Sequence, residues 1–170
     1  MQISLCLAYL GAFGCSSYDQ FKHLSEEADT PAKIFQSDFN QSWQSVLKVM
    51  SRYDLEIKDQ DSGTIKTKWI DNTLEVNFAD SFGSNDSVRS AKFKIIISVT
   101  KGFRSGREVS KVTIYKRQMI EQDFLQGWKT IPTDAIQENV ILYRIGRNLT
   151  IDQKLKKIEE ARSREAEANL

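Results

Sequence analysis

Ala91-Lys92-Phe93-Lys94-Ile95-Ile96-Ile97-Ser98-Val99-Thr100 alternates in the manner of a half-buried strand. Phe93, Ile95, Ile97 and Val99 fall on one face, and Lys92 and Lys94 on the other, because successive side chains of a strand point to opposite sides. Beyond it, Gly102 to Gly106 carries turn chemistry. Glu108 to Arg117 then reads as the returning strand, with Val112 and Ile114 inward and Lys111, Thr113, Tyr115 and Arg117 outward. On the other side, Ser81 to Ser87 is polar and reads as a loop. Leu74, Val76 and Phe78 alternate and suggest a further strand or extended segment. In Thr64 to Ile70 the alternation puts Ile65, Thr67 and Trp69 on one face and Lys66 and Lys68 on the other. Asp59 to Gly63 is a turn, and Leu55 and Ile57 begin a strand before it.

The period differs further out. Ala32 to Gln36 suits a short opening strand. Asp38 with Gln41 forms a capping-box pattern, after which Phe39, Trp43, Val46, Leu47 and Met50 follow helical spacing to about Arg52. Met119 to Ile131 is apolar without a clean period. Thr133 is the expected cap of a second helix whose stripe would be Ile136, Val140, Tyr143 and Ile141, weakened by Gly146 and Asn148. From Thr150 the chain favours helix but is mostly charged, with a thin seam of Ile151, Leu155 and Ile158. One-faced strands and one-striped helices combine into an α+β domain. Its antiparallel sheet would be covered on one face by the long helix and the C-terminal helix, and wet on the other.

Composition narrows the function. The 170 residues include 24 basic and 23 acidic side chains, a net charge of +1 that argues against a globally basic nucleic-acid binder. Hydrophobic residues at 40% and charged residues at 28% fit a folded domain, and no stretch is apolar for long enough to span a bilayer.

The N-terminus suggests a membrane setting by another route. Residues 3 to 13 are uncharged and mostly apolar, and Leu10-Gly11-Ala12-Phe13-Gly14-Cys15 ends the run with small residues before a cysteine. This resembles the lipobox of bacterial lipoproteins, in which the cysteine thiol takes a diacylglyceryl group and cleavage frees its amine for a further acyl chain. The competing reading is a buried N-terminal element with a core cysteine. The polar stretch from Ser16 to Pro31 suits a tether and favours the first. The organisation expected is then a signal peptide over 1–14, a tether over 15–31, an α+β domain over 32–148 and a charged helix or tail over 149–170. With Cys6 removed and Cys15 acylated, the mature body would hold no thiol for a disulfide, a metal or a nucleophile.

Trp43-x-x-Val46-Leu47, Leu55-Glu56-Ile57 and Asp61-x-Gly63-x-Ile65-x-Thr67-x-Trp69 together resemble the helix–strand–turn–strand core of a known family. That family is the lipoprotein C component of the bacterial outer-membrane barrel-assembly machinery (the NlpB/DapX family). The resemblance covers residues 34 to 70, with looser agreement in strand order as far as Tyr143. It implies a helix-grip domain, an antiparallel sheet wrapped around a long helix, and a periplasm-facing place at the outer membrane beside an envelope protein partner. The family has two such domains and an N-terminal segment that grips its partner. This chain has room for one domain and its linker does not match, so no binding residue is carried over.

Candidate chemistry is sparse. His23 is the only histidine and falls in the tether. Asp59-x-Asp61-x-Gly63 starts like a calcium loop, but the twelfth position, which needs a carboxylate, is Ile70. Neither a Gly-x-Ser-x-Gly elbow nor a phosphate-cradling loop is present. No catalytic residue, cofactor, metal or nucleic acid is therefore expected. The surface of interest is the outer sheet face, where Lys66, Lys68, Lys92, Lys94, Lys111 and Arg117 would gather with Tyr115. It could draw an acidic partner, an anionic lipid, a glycan or a peptide, or serve only to keep the sheet soluble. A second candidate is the segment holding Phe124 and Trp128, read as a partner-binding loop or as a cap on the sheet.

Overall fold

In chain order the elements are β1 (Ala32–Phe35), α1 (Phe39–Met50), β2 (Leu55–Asp59), β3 (Thr64–Thr67), β4 (Ile70–Asp71), α2 (Thr73–Asp80), β5 (Ser90–Arg104), β6 (Arg107–Glu121), β7 (Trp128–Ile131) and α3 (Ile136–Ala168). The computed structural model describes residues 30–80 and 88–168. Cys15, His23, and the signal peptide, most of the tether and the 81–87 loop expected from the sequence lie outside the described residues.

β5 and β6 form the spine of the sheet. They pair without a slip from Ser90↔Glu121 to Arg104↔Arg107. The turn is tighter than expected: Ser105 and Gly106 alone make it, with φ of 52° and 72°. Positive φ at both central residues is the type I′ geometry whose twist suits paired strands. Gly102 and Phe103 belong to β5 rather than to the turn. All pairings are antiparallel, in the order β1-β6-β5-β3-β2, with β4 also on β5 and β7 also on β6. The α+β architecture inferred from the sequence is the one observed.

The inner face and two helices enclose the core. Phe93, Ile95, Ile97 and Val99 from β5 meet Val112 and Ile114 from β6, with Trp43, Val46, Val49 and Met50 of α1 packed over them. Asp38 caps α1, its Oδ1 accepting the Gln41 N–H at 2.8 Å. Small residues set how closely α1 lies: the hydroxyls of Ser37, Ser42 and Ser110 bond one another within the core. Ser45 Oγ donates to the Ile145 carbonyl of α3 at 3.0 Å.

Several expectations are corrected. Residues 73–80 form helix α2, not an extended segment. The Asn72 carbonyl accepts the Val76 N–H, and Asp71 Oδ1 accepts the Thr73 N–H, so a helix-start signal overrides three alternating apolar residues. Met119 to Ile131 is the end of β6, a turn and β7.

The charged tail and the second helix are one element of 33 residues, α3. Its buried stripe is Glu138, Ile141, Leu142, Ile145 and Leu149, whereas Ile136, Val140 and Tyr143 are exposed. A carboxylate on the inward stripe disguised the true face. Thr133 is not the cap, since α3 begins at Ile136 and Ala135 precedes it with φ 58°. Gly146 does not merely weaken α3; a Cβ there would meet Phe35 Cε1 at 3.0 Å, so it lets α3 approach β1.

The last correction decides the site. Lys66 pairs with Ile96 and Ile70 with Phe93, so four steps along one chain oppose three along the other. The extra residue is a bulge, and it exchanges the faces beyond it. The Thr67 hydroxyl accepts the Ile95 N–H at 3.0 Å, and the Lys68 N–H donates to the Asp54 carbonyl. Trp69 accordingly leaves the inner face.

Gly63 gives a direct check of this packing. Its φ is +66°, its carbonyl accepts the Val99 N–H, and a Cβ would sit 2.2 Å from the Val99 carbonyl oxygen. Urea unfolding of Gly63→Ala is expected to show a loss of about 2–4 kcal/mol, from strain plus overpacking. Gly106→Ala, with positive φ but nothing within 4 Å, should lose only about 1 kcal/mol.

Candidate functional site

The alternation of β5 and β6 puts Lys92, Lys94 and Ile96 opposite Met119, Arg117 and Tyr115 on the face away from the helices. β3 adds Lys66 opposite Ile96. The bulge turns Trp69 onto this face, and β7 brings Trp128 to its other side.

Lys92 Nζ stands 5.1 Å from the Trp69 ring centroid and 3.6 Å from that of Trp128, so its ammonium lies between two indoles. Lys94 Nζ is 4.6 Å and Arg117 Cζ 6.0 Å from the Trp69 ring. The Trp69 ring is thus shared by three cations. Each such contact contributes about 0.5–1 kcal/mol when exposed and ~2 when desolvated.

Glu56, near the bulge between β2 and β3, is the acid bonded to this cluster. Its Oε2 accepts from Lys94 at 2.9 Å and its Oε1 from Lys66 at 3.3 Å. The Lys94 hydrogen bond is the main reason that the Glu56 carboxyl sits below its ordinary value of 4.5. Desolvation opposes that shift, and the hydrogen bond and charge of Lys66 reinforce it. Asp71 stands opposite Lys92 in register but turns its carboxylate to the Thr73 N–H, which lowers its own value. Among the described residues, Lys92 and Arg117 have no carboxylate within ion-pair distance.

Of the six basic residues expected on this face, Lys66, Lys92, Lys94 and Arg117 come together. Lys94 is buried rather than offered to solvent. Lys68 is exposed in the bulge, without a ring or carboxylate contact among the described residues. Lys111 lies opposite Thr100, six residues from Arg117 along β6 and hence roughly 20 Å away. Phe124 and Trp128 do not share a loop. Phe124 is exposed in the turn before β7, with Arg89 Cζ 5.8 Å from its ring, whereas Trp128 opens β7 and covers Lys92.

Sequence reasoning missed Trp69 and Glu56. A one-residue excess between strands leaves no pattern in a short run. Among the described residues, no group of three or more histidine, cysteine or acidic side chains is placed to hold a metal ion, and no helix is long and apolar enough to cross a membrane.

No protein-family model matches the chain, and no curated protein sequence does.

The Glu56 linkage has a definite sign. A carboxyl held lower in the folded state contributes stability above its unfolded value, and that contribution is lost as pH falls through the folded value. The stability difference between the wild type and Glu56→Gln should be constant above about pH 4.5 and shrink below it, as read by urea unfolding across pH 2–7.

Proposed function

We propose that this chain is a non-catalytic lipoprotein domain, held by lipid on Cys15 at a bacterial outer membrane and facing the periplasm. In this reading it serves envelope assembly by docking its basic-aromatic sheet face on an acidic surface of a protein partner. The resemblance to the lipoprotein C family and the lipobox-like N-terminus motivate the setting. The face motivates the mode of contact.

The observation that carries the proposal is Lys92 between Trp69 and Trp128, with Arg117 beside them and no carboxylate paired to either cation among the described residues. A sheet that needs only solubility can scatter lysines in water. Here the cations are packed on indoles, so their side chains are already ordered and lose less freedom on binding. Tryptophan, tyrosine and arginine are also the side chains that concentrate binding energy at protein interfaces.

An anionic lipid surface is the second reading. It is favoured by Phe124 and Leu125, which are 74% and 88% exposed in the turn leading to Trp128. Apolar tips beside cations suit a membrane interface.

Two experiments follow. Replacing residues 1–15 with a cleavable secretory signal should move the chain from the salt-washed membrane pellet to the soluble fraction, and a membrane-bound wild type with an unmodified Cys15 thiol would contradict the anchor. The released protein should co-sediment with native envelope vesicles at low ionic strength, and protease treatment of those vesicles should abolish this. Lys92→Glu with Arg117→Glu should weaken the binding tenfold or more, as expected when charges at an interface are reversed, while Lys111→Glu leaves it unchanged. Equal effects of the two changes would refute the face. Binding to protein-free anionic vesicles that is lost in Phe124→Ser/Leu125→Ser would replace the protein partner with lipid.

A further inference from the structure

β6 is covered unevenly along its outer edge. β1 pairs with residues 110–113 and β7 with residues 118–121, on the same side of the strand. Between them the Ile114 N–H reaches the Pro31 carbonyl at 2.9 Å, and neither strand pairs with residues 115–117. Backbone groups two residues apart in an antiparallel strand face the same edge. The N–H and C=O of Lys116 therefore open onto this gap.

The gap is a cavity of about 260 Å³, walled by Ile114, Tyr115 and Lys116 on β6, by Thr30 and Pro31 before β1, by Thr130 and Ile131 at the end of β7, and by Pro132 and Thr133 after it. Glu138 of α3 closes it. Glu138 is 1% exposed, and neither carboxylate oxygen has a hydrogen-bond partner among the described residues.

The local geometry shows why that carboxylate is unused. Ala135 caps α3, its carbonyl taking the Asn139 N–H, so Glu138 stands three residues beyond the cap. An acid there ordinarily reaches back to the N–H of the capping residue. The Ala135 N–H is already donated to Thr133 Oγ1 at 3.2 Å, and the Ile136 N–H to Asp134 Oδ1 at 3.1 Å. Lys116 does not neutralise Glu138 either. Its Nζ lies 4.9 Å from the Phe93 ring, and no ion pair joins the two. An unpaired buried carboxylate is among the costlier features a fold can carry.

We propose that this cavity is a binding site for a single ammonium or guanidinium on an aliphatic stem, seated on Glu138. On binding, the Glu138 side chain turns so that its carboxylate oxygens, covered at rest, reach the cavity; they and the Lys116 carbonyl accept the cation's protons, and Ile114, Ile131, Pro31 and Pro132 contact its stem. The flanking strands leave no room for an added strand, so what enters is one side chain: a lysine or arginine of a partner protein. The site lies on the sheet edge beneath α3, distinct from the basic-aromatic face, and the proposal does not rest on that face.

The test titrates the full chain with N-butylguanidinium chloride and with a blocked Gly-Arg-Gly peptide, following thermal unfolding and amide chemical shifts. Sodium chloride at matched ionic strength and neutral N-butylacetamide are the controls. Saturable stabilisation by the cations is expected, with shifts confined to residues 114–117 and 130–138. Affinity should fall tenfold or more in Glu138→Gln. Peptide binding at least as tight as that of the small cation assigns the site to a protein side chain, and binding of the small cation alone assigns it to a free amine or guanidine. Glu138→Leu, which removes the unpaired charge, should unfold at a higher temperature and ignore both cations. Stabilisation no greater than salt gives, equal stabilisation by the neutral amide, or undiminished affinity in Glu138→Gln would overturn the proposal. Should Glu138→Gln fail to fold, the wild-type comparison of cation with neutral amide still decides.

Discussion

The register of the β5–β6 hairpin is the constraint on which the rest of this molecule depends. Side chains alternate with a period of two, so a slip of one residue would send Phe93, Ile95, Ile97 and Val99 to solvent and Lys92 and Lys94 into the core. The two-residue turn at Ser105 and Gly106 fixes that register at one end, and fifteen residues on each side keep it. α1 and α3 have a single apolar surface to pack on, and the cations share the opposite one.

The outer face gains its character from a departure in that regularity. One extra residue between Lys66 and Ile70 moves Trp69 from the core side to the side of Lys92, Lys94 and Arg117. Without it, three cations would stand on the sheet with less aromatic surface beneath them. With it, the indole accepts them, and among the described residues Glu56 pairs with Lys66 and Lys94 alone. The result is a positive surface that is ordered before any partner arrives. Ordering in advance is what lets modest charge contribute to affinity rather than to solubility alone.

Much of the fold was legible because strong alternation leaves few choices. The β5 stripe, the return through Val112 and Ile114, and the Asp38 cap of α1 each needed only local pattern and one end signal. The misreadings share a cause: each hung on a residue whose chemistry disagreed with its place. Glu138 lies on the buried stripe of α3, so the apolar count pointed to Ile136, Val140 and Tyr143. The alternation through Leu74, Val76 and Phe78 hid the helix begun by Asp71 and Asn72. The bulge that turns Trp69 outward depends on how two strands meet, which no single segment encodes. Half the site was therefore readable as lysines on alternate positions, and the aromatic half was not.

In the proposed function the partner rests on the sheet face away from the helices. Site-specific photocrosslinking in the native cells asks this directly, with a benzoylphenylalanine replacing one residue at a time. Adducts to one envelope protein are predicted from positions 69 and 115 but not from position 143, on the solvent side of α3. Adducts from position 143 with none from position 69 would contradict the account.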